Sequence, residues 1–229
     1  MTAENPRLTF QLPDGAEATV TVARLLNAGY AGQDQEEVRA HIRELAELGV
    51  PAPSTTPTLY PVPPYLAQQC SNVNVQHGKT SGEAEWALII DDDGRELLTV
   101  ACDHTDRSLE VHGVAWSKNA SPDVLGRKAW LLSDIADHVG EVWLRAWVGE
   151  SDELIQEAPV NALLSPDYWL EVLQRRGERI PGTVLLSGTV VMKAGVDQFA
   201  NRWKVALTSP KLGTISHEYT VTTMATPIE

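Results

Sequence analysis

The chain has 229 residues, 43% of them hydrophobic, enough for one large domain or a small unit joined to a larger one. Its formal net charge of -13 argues against binding nucleic acid, and a small anionic substrate would need local positive charge from a metal, Lys or Arg. No apolar run reaches membrane-spanning length, the N-terminus lacks the basic start and apolar core of a secretory leader, and two cysteines, Cys70 and Cys102, make neither a disulfide framework nor a zinc cluster, so the expectation is a cytoplasmic protein with two reduced thiols.

In "RLTFQLPDGAEATVTVARLLNAGY", Leu8, Phe10 and Leu12 alternate before Asp14-Gly15, and Ala18, Val20 and Val22 alternate after it, which predicts a β-hairpin. A helix is predicted over about 34–48: Asp34 is the N-cap and Glu37 stands three residues on, as in a capping box. Val38, Ile42, Leu45 and Leu48 form its apolar stripe, and Gly49 ends it. His41 borders that stripe with Glu37 and Glu44 within one turn, so it is either a packed core histidine or half of an acid–base dyad on a lid. The proline-rich stretch 50–64 opposes regular helix and central strand. It is the predicted boundary between a small N-terminal hairpin–helix unit, residues 1–59, and a main domain, residues 60–229.

The stretch "SGEAEWALIIDDDGRELLTVACDHTDR", residues 81–107, reads as two strands joined by a turn. Glu83 and Glu85 share one strand face, roughly 6–7 Å apart at the backbone. Such neighbours repel, so one holds a proton or a cation sits between them. An oxygen-only set suits Mg2+ or Mn2+, although a solvated sheet face tolerates the same spacing. The parity of the "DDDG" turn decides the rest. An odd loop, such as three residues with a bulge at Gly94, sets Asp103 directly opposite Glu83; a two-residue loop sends it to the other face. Alternation turns His104 away from Asp103's face, and Arg107 is a candidate for gripping a substrate carboxylate, with Arg24 as another.

Further along, "SLEVHGVAWSKNASP" alternates in its first part, as a strand does. "LSDIADH" reads as a short helix and "EVWLRAWVGES" as a strand. "SPDYWLEVLQRRG" reads as a helix with Ser165 as cap, Pro166 in the first turn and Gly177 as stop. "GTVLLSGTVV", "WKVALTSP" and "ISHEYTVTT" read as strands. The short connections favour a β-dominated α+β fold over regular βαβ winding.

An E-x-E heading an apolar strand (Glu83, Glu85), an Asp ending the next strand (Asp103), a later lysine in "WSKNASP" (Lys118), a strand–turn–strand ending in Gln156 and "IPGTVLLSGTV" with Gly188 and Thr189 follow one another in order. As an ordered set they resemble the fumarylacetoacetate hydrolase family, over residues 60–229. The resemblance implies a mixed β-roll catalytic domain, usually in a homodimer. It implies a divalent ion, Mg2+ or Mn2+, held by the Glu83, Glu85 and Asp103 positions, and chemistry through a metal-stabilised enolate of a small anionic substrate. Lys118 would face the developing negative charge, while Thr189, Gly188 and Gln156 would line the substrate. The chain departs from the family pattern in lacking an identifiable Asn-Tyr-x-x-His segment after its proline-rich stretch, so the base is left among His41 with Glu37, His104 and His77. The expectation is a divalent-metal-dependent hydrolase or lyase acting on a 2-oxo acid or 1,3-dicarbonyl; the alternative is a non-catalytic member that binds a small acid.

Overall fold

The computed structural model describes residues 5–228, apart from the side chain of His41. Strands β1 (Arg7–Gln11) and β2 (Glu17–Thr21) form the predicted hairpin, with Leu8 opposite Val20 and Phe10 opposite Ala18, all buried. The chain then adds β3 (Arg24–Gly29), buried at residues 25–28 on both of its faces, as a central strand is. Helix α1 (Gln35–Glu47) starts where the sequence indicates, the Asp34 carboxylate accepting from the Glu36 and Glu37 amides. Its stripe is less buried than predicted. Val38 is in the core, but Ile42 and Leu45 are half-buried and Leu48 is 72% exposed, so α1 lies on the surface.

The proline-rich connector holds a strand after all, β4 (Thr58–Val62). It ends its sheet and pairs only with β3, and an edge strand has room for Pro61, which cannot donate. Two short strands follow, β5 (Ala67–Gln68) and β6 (Asn72–Val75). Next come the long pair β7 (Thr80–Ile90) and β8 (Glu96–Asp106). Their turn is the odd one: Asp91 and Arg95 close it, the Gly94 amide donates back to the Asp91 carbonyl, and Gly94 takes φ +82°. Glu83 therefore stands directly opposite Asp103.

The stretch after β8 is helical, not a strand. A 3-10 turn at Glu110–His112 leads through Gly113 into α2 (Val114–Lys118). Strand β9 (Asp123–Leu131) is one that the alternation did not reveal, since Gly126, Arg127 and Lys128 interrupt it and a bulge shifts its register on β8. The rest follows the sequence reading, except that the strand read over 182–191 ends at Leu186 and gives way to a loop: α3 (Leu132–Ile135), β10 (Trp143–Val148), β11 (Glu153–Pro159), α4 (Pro166–Arg176), β12 (Thr183–Leu186), β13 (Arg202–Ser209) and β14 (Gly213–Thr223). Ser165 caps α4 through the Tyr168 amide and Gly177 closes it at φ +70°.

Among the described residues the strands form two sheets. One runs β2-β1-β9-β8-β7-β12-β3-β4, with β5 beside β9; the other runs β11-β10-β13-β14-β6. The first sheet curls into a half-barrel. The hairpin pairs with β9 and β3 pairs with β12, so this sheet is continuous across residue 59. Two cores result. Trp86, Leu98, Val100, Leu144, Trp203 and Val205 fill the space between the sheets, whereas Phe10, Leu25, Ala87, Ile89, Leu97 and Val184 fill the inside of the curl. Strand alternation assigns Glu83, Glu85, Asp103, Asp123 and Asn27 to the inside of the curl, at the end where β8, β3 and β12 finish and β7 and β9 begin. No described helix is long and apolar enough to cross a membrane.

Candidate metal centre

One oxygen each of Glu83, Glu85 and Asp103 lie within 4.8 Å of one another. Glu85 and Asp103 are fully buried. Each acid is held differently. Glu83 accepts from Arg107 at 2.8 Å and from Lys118 at 3.4 Å. Glu85 accepts from the Gly188 amide at 2.7 Å through one oxygen; its other oxygen, Oε1, is buried with no hydrogen-bond partner. Asp103 accepts from Lys118, from Asn27 Nδ2 at 3.1 Å and from Thr105 at 3.3 Å.

The electrostatics follow from this packing. Burial alone would raise the Glu83 carboxyl, but the Arg107 guanidinium and the Lys118 ammonium outweigh it and hold it at about 2. Glu85 is pushed well above the usual carboxylate range, first by burial and then by Asp103, Glu83 and Asp123, against the pull of Lys118. Burial works against the charge on Lys118, yet Asp103, Glu83 and Glu85 more than restore it, so the ammonium keeps its proton. Four buried or nearly buried carboxylates, counting Asp123, meet two cations. Carboxyls so short of counter-charge either take up protons, as the rise at Glu85 and Asp123 favours, or gather round a further cation. A hard divalent ion fits this donor set: the ligand atoms are all oxygen, they converge, and Glu85 Oε1 has no other partner.

The Gly188–Thr189 loop is built to hold Glu85. Gly188 takes φ +81°, and a Cβ there would meet the Ala31 Cβ at 3.2 Å. Thr189 Oγ1 donates to the Ala84 carbonyl at 2.9 Å and accepts from Gln156 Nε2 at 2.8 Å. Gln156 also donates to the Val190 carbonyl and accepts the Ala84 amide. Thr189 and Gln156 are thus engaged in fixing β7 and the loop. Arg107 is likewise engaged, gripping Ser81, Glu83 and Glu110 from the end of β8.

The other candidates lie elsewhere. His104 faces the space between the sheets, where it bonds Tyr219 at 3.0 Å and Thr80 at 2.9 Å; burial and then Arg107 pull it down to about 4. Glu37 is exposed on the first turn of α1, and the His41 side chain lies outside the described residues. His77 pairs with Asp106 at 3.1 Å and accepts the Lys79 amide. Arg24 shares the face of Leu26 and Ala28, away from the acids.

Sequence reasoning missed four residues here. Asn27 and Asp123 are fully buried behind Asp103. Glu110 reaches Arg107 from the 3-10 turn. Tyr30, at φ +53°, has its hydroxyl raised to about 12, by burial and then by Tyr60 and Glu110. A lone amide in the apolar run "RLLNAGY" and an acid heading "DVLG" were the signals available.

A family described as "protein of unknown function (DUF2848)" matches residues 28–219. No curated protein matches the chain in sequence. Solved structures do match in fold. A candidate fumarylacetoacetate isomerase/hydrolase from Oleispira antarctica is 18% identical, with TM-score 0.65, over 93% of this chain and 99% of that one. A 2-keto-3-deoxy-D-arabinonate dehydratase complexed with magnesium and 2,5-dioxopentanoate is 18% identical, with TM-score 0.60, over 88% and 73%. A 5-carboxymethyl-2-hydroxymuconate delta-isomerase from Mycobacterium smegmatis is 19% identical, with TM-score 0.59, over 91% and 82%. The chain shares the fold of these three structures.

Proposed function

The chain belongs to the family described as protein of unknown function (DUF2848), and we propose that it is a divalent-metal-dependent hydrolase or lyase of small 2-oxo acids or 1,3-dicarbonyls. The observation that carries this reading is the convergence of Glu83, Glu85 and Asp103, with one buried Glu85 oxygen lacking any partner. Those three side chains would hold Mg2+ or Mn2+, which supplies Lewis-acid polarisation of a chelating ketone and carboxylate.

The protein's own groups do the rest. Gly188 and Arg107 keep Glu85 and Glu83 in place without taking part in bond changes. Lys118, 4% exposed and protonated, offers its ammonium to negative charge that grows on the substrate oxygen. The burial of these side chains keeps water away and strengthens every charge interaction among them. The dehydratase with magnesium among proteins of this fold supports metal-dependent chemistry, and the isomerase beside it leaves the reaction class open. The reading includes a homodimer in the cytoplasm.

A second reading, a metal-dependent binder of small acids without turnover, is favoured by one observation: His104 is locked between the sheets, away from the acids. One assay separates the two. Acylpyruvates, oxaloacetate and sugar-derived 2-oxo acids are supplied with Mn2+ or Mg2+, and oxalate is titrated alongside. Turnover that oxalate inhibits is the expected result. Oxalate binding with no turnover on any substrate supports the binder, and neither binding nor turnover overturns both.

A further inference from the structure

Asn27 Nδ2 donates to Asp103 Oδ2 at 3.1 Å and to Asp123 Oδ1 at 2.9 Å. All three residues are fully buried. Asp103 and Asp123 are register partners across β8 and β9, but Asn27 arrives from β3, with β7 and β12 lying between β8 and β3 in the sheet. Three strand spacings amount to about 14 Å in a flat sheet. Only the curl brings the amide to the two acids, so this bond exists because of the shape of the half-barrel.

Asp103 has one charged donor, Lys118, and two neutral ones, Asn27 and, from Asp103's own strand, Thr105. Lys118 is a cation that an incoming metal ion contests. Asn27 is neutral and comes from another strand, so it can stay bound while the ion enters. Behind it, Asn27 Oδ1 and Asp123 Oδ2 are buried without partners. Buried polar atoms without partners are rarely kept together in a core unless their arrangement serves something.

We propose that Asn27 and Asp123 are positioning residues for the metal ligand Asp103: the Asn27 amide fixes the orientation in which Asp103 meets Glu83 and Glu85, and Asp123 fixes the amide. The proposal rests on the reading of those three acids as a metal site. Groups that orient ligands in this way govern metal affinity by roughly 10–100-fold.

The test is Mn2+ titration calorimetry on the full chain, with the Co2+ absorption spectrum as a reporter of ligand geometry. Asn27→Leu, similar in shape but without a donor, is expected to bind Mn2+ about tenfold or more weakly and to shift the Co2+ spectrum. Asp123→Leu is expected to do the same. Asp123→Asn keeps an oxygen facing the Asn27 amide, so it is expected to stay within about threefold of wild type. If Asn27→Leu does not fold, the two Asp123 variants decide. Wild-type protein that binds no Mn2+ overturns the metal reading itself. Wild-type binding with unchanged affinity and spectrum in the leucine variants overturns the positioning role alone, as does an Asp123→Asn variant that falls as far as Asp123→Leu.

Discussion

Lys118 holds its ammonium against Glu83 and Asp103, the place that an arriving cation would contest. Its replacement by Met should therefore leave Mn2+ affinity equal or higher, while turnover drops by about 10²–10³-fold, the usual loss when a group facing transition-state charge is removed. Calorimetry and initial rates on one preparation check both halves. Glu85→Gln should act the other way and abolish Mn2+ binding, because its amide brings N–H groups to the oxygen that lacks a partner. At this scale the sequence was informative where residues are close along the chain. The spacing of Glu83 and Glu85 follows from strand geometry, and alternation correctly turned His104 away from Asp103. Asn27 and Asp123 were not legible, since their significance depends on partners 76 and 96 residues apart, brought together by the curl of a sheet. Thr189, Gln156 and Arg107 were visible as special residues, but not that their polar atoms would be tied up in supporting the acids.

The turn between β7 and β8 is the element on which the site depends. Gly94 takes φ +82°, and a Cβ there would touch nothing within 4 Å. Gly94→Ala should therefore cost only backbone strain, about 1–2 kcal/mol, read as a lower urea midpoint with an unchanged m-value. The sequence supplied the two possible parities of this turn, and the observed loop is the odd one. Even so, the triple aspartate is more than a solvated connection. Asp91 is fully buried and bonds Arg95, and Asp92 accepts the Thr21 amide of β2. Elements of strong period were legible: the first hairpin, α4 and β10 among them. The weak ones were short or broken. The alternation before α2 spans too few residues to separate strand from helix. Strand β9 is interrupted, and β4 hides in a proline-rich stretch because it is an edge.

At the scale of the whole molecule, the two sheets meet over a tight seam. A Cβ on Gly82 would lie 2.7 Å from the Cys102 sulfur and the Trp203 ring, so Gly82→Ala should destabilise the protein by about 1–3 kcal/mol through overpacking. His104 on β8 and Tyr219 on β14 bond across the same seam. The folded protein holds His104 at about 4, below its ordinary 6.5, so the unfolded chain takes up this proton first as pH falls. Stability tied to His104 is thus whole above pH 6.5 and is lost between there and about pH 4, by at most about 3 kcal/mol. Urea unfolding across that range should show wild type losing ground relative to His104→Gln as pH drops; parallel curves would remove His104 from the account. The β-dominated fold class was legible from short connections and alternating runs, whereas the curl that gathers the acids was not, because it arises from long-range pairing. Glu83, Glu85 and Asp103 are expected to hold one divalent ion between them. Anomalous scattering from a crystal containing Mn2+ tests this: one peak in contact with all three carboxylates is predicted, and a crystal with no peak there, or with Mn2+ bound only elsewhere, would show that the three acids do not form a metal site.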